Sequence, residues 1–185
     1  MAKQSSKDSQ NAKTKNGTEN KMWQPNRKQK FVGGVLLLFM ALALLLSFIS
    51  YYITGYNDQS DVTQLANRSI RPDNWLGKTG AFLADFFMYK GFGIASFIFI
   101  RILFLVGAYL ILDIALSKLR KNFFWDFYLL IILSVLFGFF WNVLPQLSGV
   151  IGFEMNLFIQ DYIGKTGTLL VLLFAIVLFL VFKIN

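Results

Sequence analysis

The sequence predicts an all-α polytopic membrane protein: four transmembrane helices, with short amphipathic helices in the two outer loops. Composition is the first reason. Of 185 residues, 56% are hydrophobic, 21 are Phe, and mean hydropathy is +0.54, more apolar surface than a soluble domain of this size can hide. The second reason is a set of four long apolar runs, and the third is the placement of Lys and Arg around them.

Residues 1–30 are rich in Lys, Asn, Gln and Ser, have almost nothing to bury, and are expected to form a disordered basic cytoplasmic tail. Phe31–Ile53 is uncharged over 23 residues, enough to cross a hydrocarbon core of about 30 Å. It is too long for a secretory h-region and lacks a convincing cleavage site, so it reads as an uncleaved signal-anchor. The second span is expected at about 91–115 and holds Arg101 and Asp113; the third, at about 123–144, includes Asp126; the fourth, at 165–183, is uncharged from Thr166 to Phe182. Residues 31–183 are thus read as one four-span membrane domain. Asn16-Gly-Thr18 and Asn67-Arg-Ser69 match the glycosylation acceptor pattern, but such triplets arise often by chance and carry no weight. With no Cys and no His, disulfides, thiol and imidazole catalysis and Cys/His metal sites are excluded.

Basic residues set the orientation. Eight lie between Lys3 and Lys30, three more are Lys118, Arg120 and Lys121, and Lys183 follows the fourth span, twelve on one side. The opposite side has five: Arg68, Arg71, Lys78, Lys90 and Lys165. Both termini are therefore expected in the cytoplasm, with anionic lipid as the partner of the +8 net charge. Nothing in the tail resembles a nucleic-acid reading motif. Trp75, Tyr89, Trp125, Tyr128, Trp141 and Tyr162 fall near span ends, as interfacial anchors do.

The outer loops repeat a tetrapeptide. NWLGKTGAFLADFF (74–87) and DYIGKTGTLLVLLF (161–174) both contain Gly-Lys-Thr-Gly, with Gly77 and Gly164 87 positions apart. A P-loop would need a further glycine where Pro72 and Ile159 stand, together with a preceding strand, so the tetrapeptides read as turns bounded by Gly77 and Gly80, and by Gly164 and Gly167, in a duplicated unit. In the first copy the turn precedes an amphipathic segment; in the second it leads straight into the fourth span. Phe82, Leu83, Phe86 and Phe87 share one helical face, with Asp85 elsewhere. In the second loop Met155, Phe158, Ile159 and Tyr162 share a face, while Glu154, Asn156, Gln160 and Asp161 face away.

Arg101 lies about ten residues into its span, where a central Arg costs about 2.5–3.5 kcal/mol on insertion scales and normally finds a partner or snorkels. Asp113, twelve positions on, lies about 120° around the helix and is not its partner. Glu154 or Asp85 reaching down from the outer side, or a carboxylate of another subunit, is the expected counter-charge, with Asp113 and Asp126 close enough to the inner interface to stay solvated. Ion transport through this charge is disfavoured because Arg does not titrate in the useful range.

The segments NWLGKTGAFLADFFMYKGFGIASF and SGVIGFEMNLFIQDYIGKTGTLLVLLF, behind a basic tail and among four spans, resemble the N-terminal membrane domain of FtsK/SpoIIIE-type DNA translocases. The family's loop pattern is matched by Asn74, Gly77, Gly80, Ala81, Ala84, Asp85, Phe87 and Phe92, and its G-V-I-G by Gly149, Val150, Ile151 and Gly152, with Ser148 in place of an often doubled glycine. The resemblance covers about residues 30–183. It implies a divisome-associated anchor, hexameric in the family, whose linker and RecA-like motor use ATP to pump chromosomal DNA through the closing septum. The motor is absent from this chain, so no cofactor and no small-molecule substrate are expected in it, and DNA is expected only through the motor.

The leading function is therefore a non-catalytic anchor that localises and oligomerises a translocase at the division septum. Its outer loops would meet division proteins, and Gly33, Gly34, Ala41 and Ala43 would serve helix contacts. The alternative is a small multi-span transporter or channel subunit using Arg101 and the inner aspartates. A membrane enzyme ranks third, since no carboxylates form a close pair in sequence.

Overall fold

A computed structural model describes residues 26–62, 69 and 71–184. The tail at 1–25 and the two acceptor triplets, apart from Ser69, lie outside the described residues.

Among the described residues five α-helices follow in order: α1 (Arg27–Val62), α2 (Gly77–Ala84), α3 (Phe97–Ile111), α4 (Arg120–Phe137) and α5 (Pro145–Ile184). A π-helix (Asp85–Phe92) and a 3₁₀ turn (Gly93–Ser96) join α2 to α3, and 3₁₀ turns at Leu116–Leu119 and Gly138–Phe140 flank α4. Among the described residues four helical stretches are long and apolar enough to cross a membrane. The α5 helix is broken where Gly149 (φ 65, ψ 171) and Gly164 (φ 70, ψ 170) leave helical geometry, which divides it into a short start, an arm over 150–163 and an arm over 165–184.

The helices form two antiparallel hairpins. In the first, α1 packs along α3: Gly34 and Gly107 face each other so closely that a Cβ on Gly34 would stand 2.7 Å from the Gly107 carbonyl oxygen. In the second, the 165–184 arm packs along α4, burying Leu172 against Ile132 and Val135, while the Tyr128 hydroxyl donates to the Ala175 carbonyl (3.0 Å). Among the described residues α3 approaches α4 sparingly between hairpins, and the backbones of α1 and α4, α1 and α5, and α3 and α5 stay apart. The molecule is an open row of helices rather than a closed bundle.

One end of the row, the basic end, holds Arg27, Lys30, the 112–119 connection and Lys183; the other, the loop end, holds α2, the π-helix and the start of α5. The loop-end elements are set deep. Gly80 is bonded to Ser47, sixteen residues or about 24 Å along α1 from Phe31 at the usual helical rise. Leu44 and Phe48 of α1 form a core with Ala84 of α2 and Met88 of the π-helix. The α3 helix accordingly has only 15 residues, about 22 Å of the roughly 30 Å a bilayer core requires. The π and 3₁₀ segments complete the crossing, which the sequence reads as a single run over 91–115. Asp113, at φ 54, closes the other end of that run.

In both loop helices a polar residue is buried while aromatic residues lie at the surface. Asp85 is buried, whereas Phe82 and Phe86 stack on each other at the surface (6.4 Å). Asn156 is fully buried against α4, whereas Phe158 and Tyr162 are exposed. In a lipid solvent the apolar face turns outward and the hydrogen-bonding face inward, because an unpaired polar group in hydrocarbon is expensive.

Candidate functional site

Polar side chains hold the loop-end elements onto the spans. The Ser47 hydroxyl donates to the Gly80 carbonyl (2.7 Å), and the Asn74 amide donates to the Ser47 carbonyl (3.1 Å). The Asn74 side-chain oxygen accepts from the Leu76 N–H (3.1 Å), and its carbonyl accepts from the Gly77 N–H (2.7 Å). The Ser50 hydroxyl accepts from the Trp75 N–H (3.0 Å). Asn74 thus builds the turn that precedes α2 while pinning it to α1. Gly77 opens α2 at φ 59, and Gly80 lies flat against Asn74 and Leu76.

The second hairpin repeats this plan with different partners. The Ser134 hydroxyl donates to the Ser148 carbonyl (2.7 Å), and the Asn156 amide donates to the Val135 carbonyl (2.9 Å) and accepts from Gln160. Gly152 packs on the Ser134 backbone, where a Cβ would lie 2.5 Å from the carbonyl oxygen. Ser47 and Ser134 stand 87 positions apart, the same register as Gly77 and Gly164. Gly164 breaks the helix in open space, and Gly167 follows within the 165–184 arm near Ile163.

The two family-like segments meet. A Cβ on Gly149 would lie 2.6 Å from both the Gly93 N–H nitrogen and the Met88 carbonyl oxygen, distances no side chain tolerates. Gly91, Gly93, Leu147, Ser148 and Gly149 therefore form a backbone seam between hairpins, closed at its edge by Tyr89 against Trp141 (6.3 Å). The π-helix serves this seam. With backbone bonds running i to i+5, it brings Lys90 to buried Asp85 (2.8 Å), and the Ser96 hydroxyl caps the Phe87 carbonyl.

Deeper in the row, Arg101 pairs with Asp126 across the hairpins, next to Phe99 against Phe127 (6.4 Å). This corrects the sequence expectation for Arg101. Its partner is neither Asp85, which Lys90 neutralises, nor Glu154, which is exposed on the 150–163 arm. Asp126 is not solvated either: its side chain is 4% exposed, against 48% for Arg101, and its second oxygen meets no hydrogen-bond donor among the described residues. Burying a carboxylate requires such a partner.

Each hairpin is also closed at the basic end. Lys30 pairs with Asp113 (2.6 Å), and Lys183 donates to the Asn122 side chain (3.1 Å). The Lys30 hydrogen bond and charge, helped by Arg27, hold the Asp113 carboxyl below its ordinary range.

Ser47, Ser50, Ser134 and Asn156 carry much of this geometry and are not singled out by sequence motifs. The available signal was their isolation: a lone serine inside an apolar run has to find a backbone acceptor.

A model of the family described as the 4TM region of DNA translocase FtsK/SpoIIIE matches residues 26–185. No curated protein and no solved structure matched the chain.

Proposed function

Because the chain belongs to the family of FtsK/SpoIIIE four-span membrane regions, we propose that it acts as the non-catalytic anchor of an ATP-driven DNA translocase. In this reading it oligomerises and holds the motor at the division septum. The observation that carries the reading is that the two family-like segments meet at one seam: Gly93 and Gly149 join the hairpins there, while Asn74 and Gly80 fasten α2 to α1 and Gly152 packs on α4. The exposed aromatics of the loop end, Trp75, Phe82, Phe86, Phe158 and Tyr162, would meet division proteins. ATP and DNA would belong to the motor. Residues 31–183 would act as one membrane unit behind the basic tail.

The orientation follows the same logic. The basic end gathers Arg27, Lys28, Lys30, Lys118, Arg120, Lys121 and Lys183, and an excess of this kind marks the cytoplasmic face. Both termini would then face a motor and its chromosome, in the cytoplasmic membrane of a bacterium.

A reporter fused after residue 185 is expected to be active only in the cytoplasm, and a fluorescent fusion is expected to concentrate at mid-cell and migrate as an oligomer in mild detergent. Uniform membrane staining, together with ion flux into liposomes that is lost on Arg101→Ala, would instead establish the transporter reading.

A further inference from the structure

The open row leaves a groove at the basic end. Its floor is α4, and its walls are α3 and the 165–184 arm, which do not touch each other. Asp126 lies buried in the floor, with Arg101 reaching across it from α3 and remaining half exposed. One turn further along the floor, Asn122 holds Lys183 of the opposite wall. Lys183 lies within electrostatic reach of both Arg101 and Lys121. Three cations, Arg101, Lys121 and Lys183, therefore gather beside one carboxylate that is already committed. Phe104, one helical turn from Arg101, and Phe182, beside Lys183, are exposed at the walls.

We propose that this groove is a binding site for an anionic phospholipid of the leaflet at the basic end. The phosphate sits among Arg101, Lys121 and Lys183, and an acyl chain runs along the apolar walls. Charge selects this occupant. Among the described residues the carboxylates of the basic end are Asp113, paired with Lys30, and Asp126, paired with Arg101, so a second copy of this chain brings no free anion to the groove. A lipid phosphate brings one at the correct depth, and basic recesses between helices are where such headgroups lodge. The site does not depend on the translocase reading.

The test uses Trp125, which stacks on Phe182 (6.3 Å) at the edge of the groove. With Trp23, Trp75 and Trp141 replaced by Phe, the protein is placed in phosphatidylcholine vesicles containing a minor fraction of brominated phosphatidylglycerol or, in parallel, brominated phosphatidylcholine. The expected result is stronger, saturable quenching by the anionic lipid. Lys183→Gln and Lys121→Gln, which leave the Arg101–Asp126 pair intact, should each weaken the apparent affinity by about fivefold. Equal quenching by the two lipids, or unchanged affinity in both variants, overturns the proposal. So does a disulfide between copies of a Phe104→Cys chain in the same vesicles, which would place a second copy in the groove; the natural sequence has no cysteine to confuse that readout.

Discussion

Replacing Gly149 and Gly164 separately by Ala distinguishes a seam from a bend. Both residues have almost the same backbone conformation, φ 65, ψ 171 and φ 70, ψ 170. That region is open essentially to glycine alone, so either alanine costs about 1–3 kcal/mol in backbone strain. The surroundings differ. At Gly164 a new Cβ meets nothing within 4 Å, whereas at Gly149 it lies 2.6 Å from the Gly93 nitrogen and the Met88 carbonyl oxygen, both backbone atoms that cannot rotate away. Forcing the hairpins apart adds an overpacking cost of about 1–3 kcal/mol, for a total of about 2–6 kcal/mol at Gly149. Gly33→Ala is the control: it lies within α1 with nothing within 4 Å, and the substitution should be neutral or stabilising by about 0.5–1 kcal/mol. The measurement is reversible unfolding in mixed micelles by titration with sodium dodecyl sulfate, followed by circular dichroism. If Gly149→Ala proves no more destabilising than Gly164→Ala, the hairpins are not joined by backbone contact at this point.

Other outcomes follow from the same geometry. Arg101→Ala strands the buried Asp126 carboxylate and should destabilise by about 3–5 kcal/mol, while the double change to Leu at both positions should recover most of that loss; equal stabilities of the single variant and the parent would contradict the pair. Asn156→Ala removes the donor to the Val135 carbonyl and should cost about 1–3 kcal/mol in the same titration, with no loss expected if the 150–163 arm is held by apolar contacts alone. The lowered Asp113 pKa means that its ionised form is favoured in the folded protein, so its contribution is present above the unfolded carboxyl value near ~3.9 and fades as pH falls through the lower folded value. A stability difference between the parent and Asp113→Asn that persists at strongly acidic pH would contradict this assignment.

The sequence carried the architecture further than the contacts. Four apolar runs are legible because lipid imposes length and composition on every span, and the bends at Gly77 and Gly164 are legible because each glycine separates a polar stretch from an apolar one. Side-chain partnership was less accessible. Which carboxylate meets Arg101 depends on how α3 and α4 are rotated about their axes, and no local pattern encodes that rotation. The burial of Asp85 and Asn156 was not legible for a physical reason: amphipathic periodicity gives the two faces of a helix but not which of them is inside, and a bilayer reverses the rule used in water. The π-helix at Asp85–Phe92 escaped the sequence because its single-residue slip relative to an α-helix leaves the apolar pattern nearly unchanged.

The Gly93–Gly149 contact also bears on biosynthesis. Each hairpin is contiguous in the chain, so the first can enter the membrane and pack, α1 on α3, while the ribosome is still making the second. The glycine edge at 91–93 then waits, its backbone uncovered, until residues 147–149 have been translated and delivered. A chain that stalls between the two events has one hairpin packed and its glycine edge still unfastened.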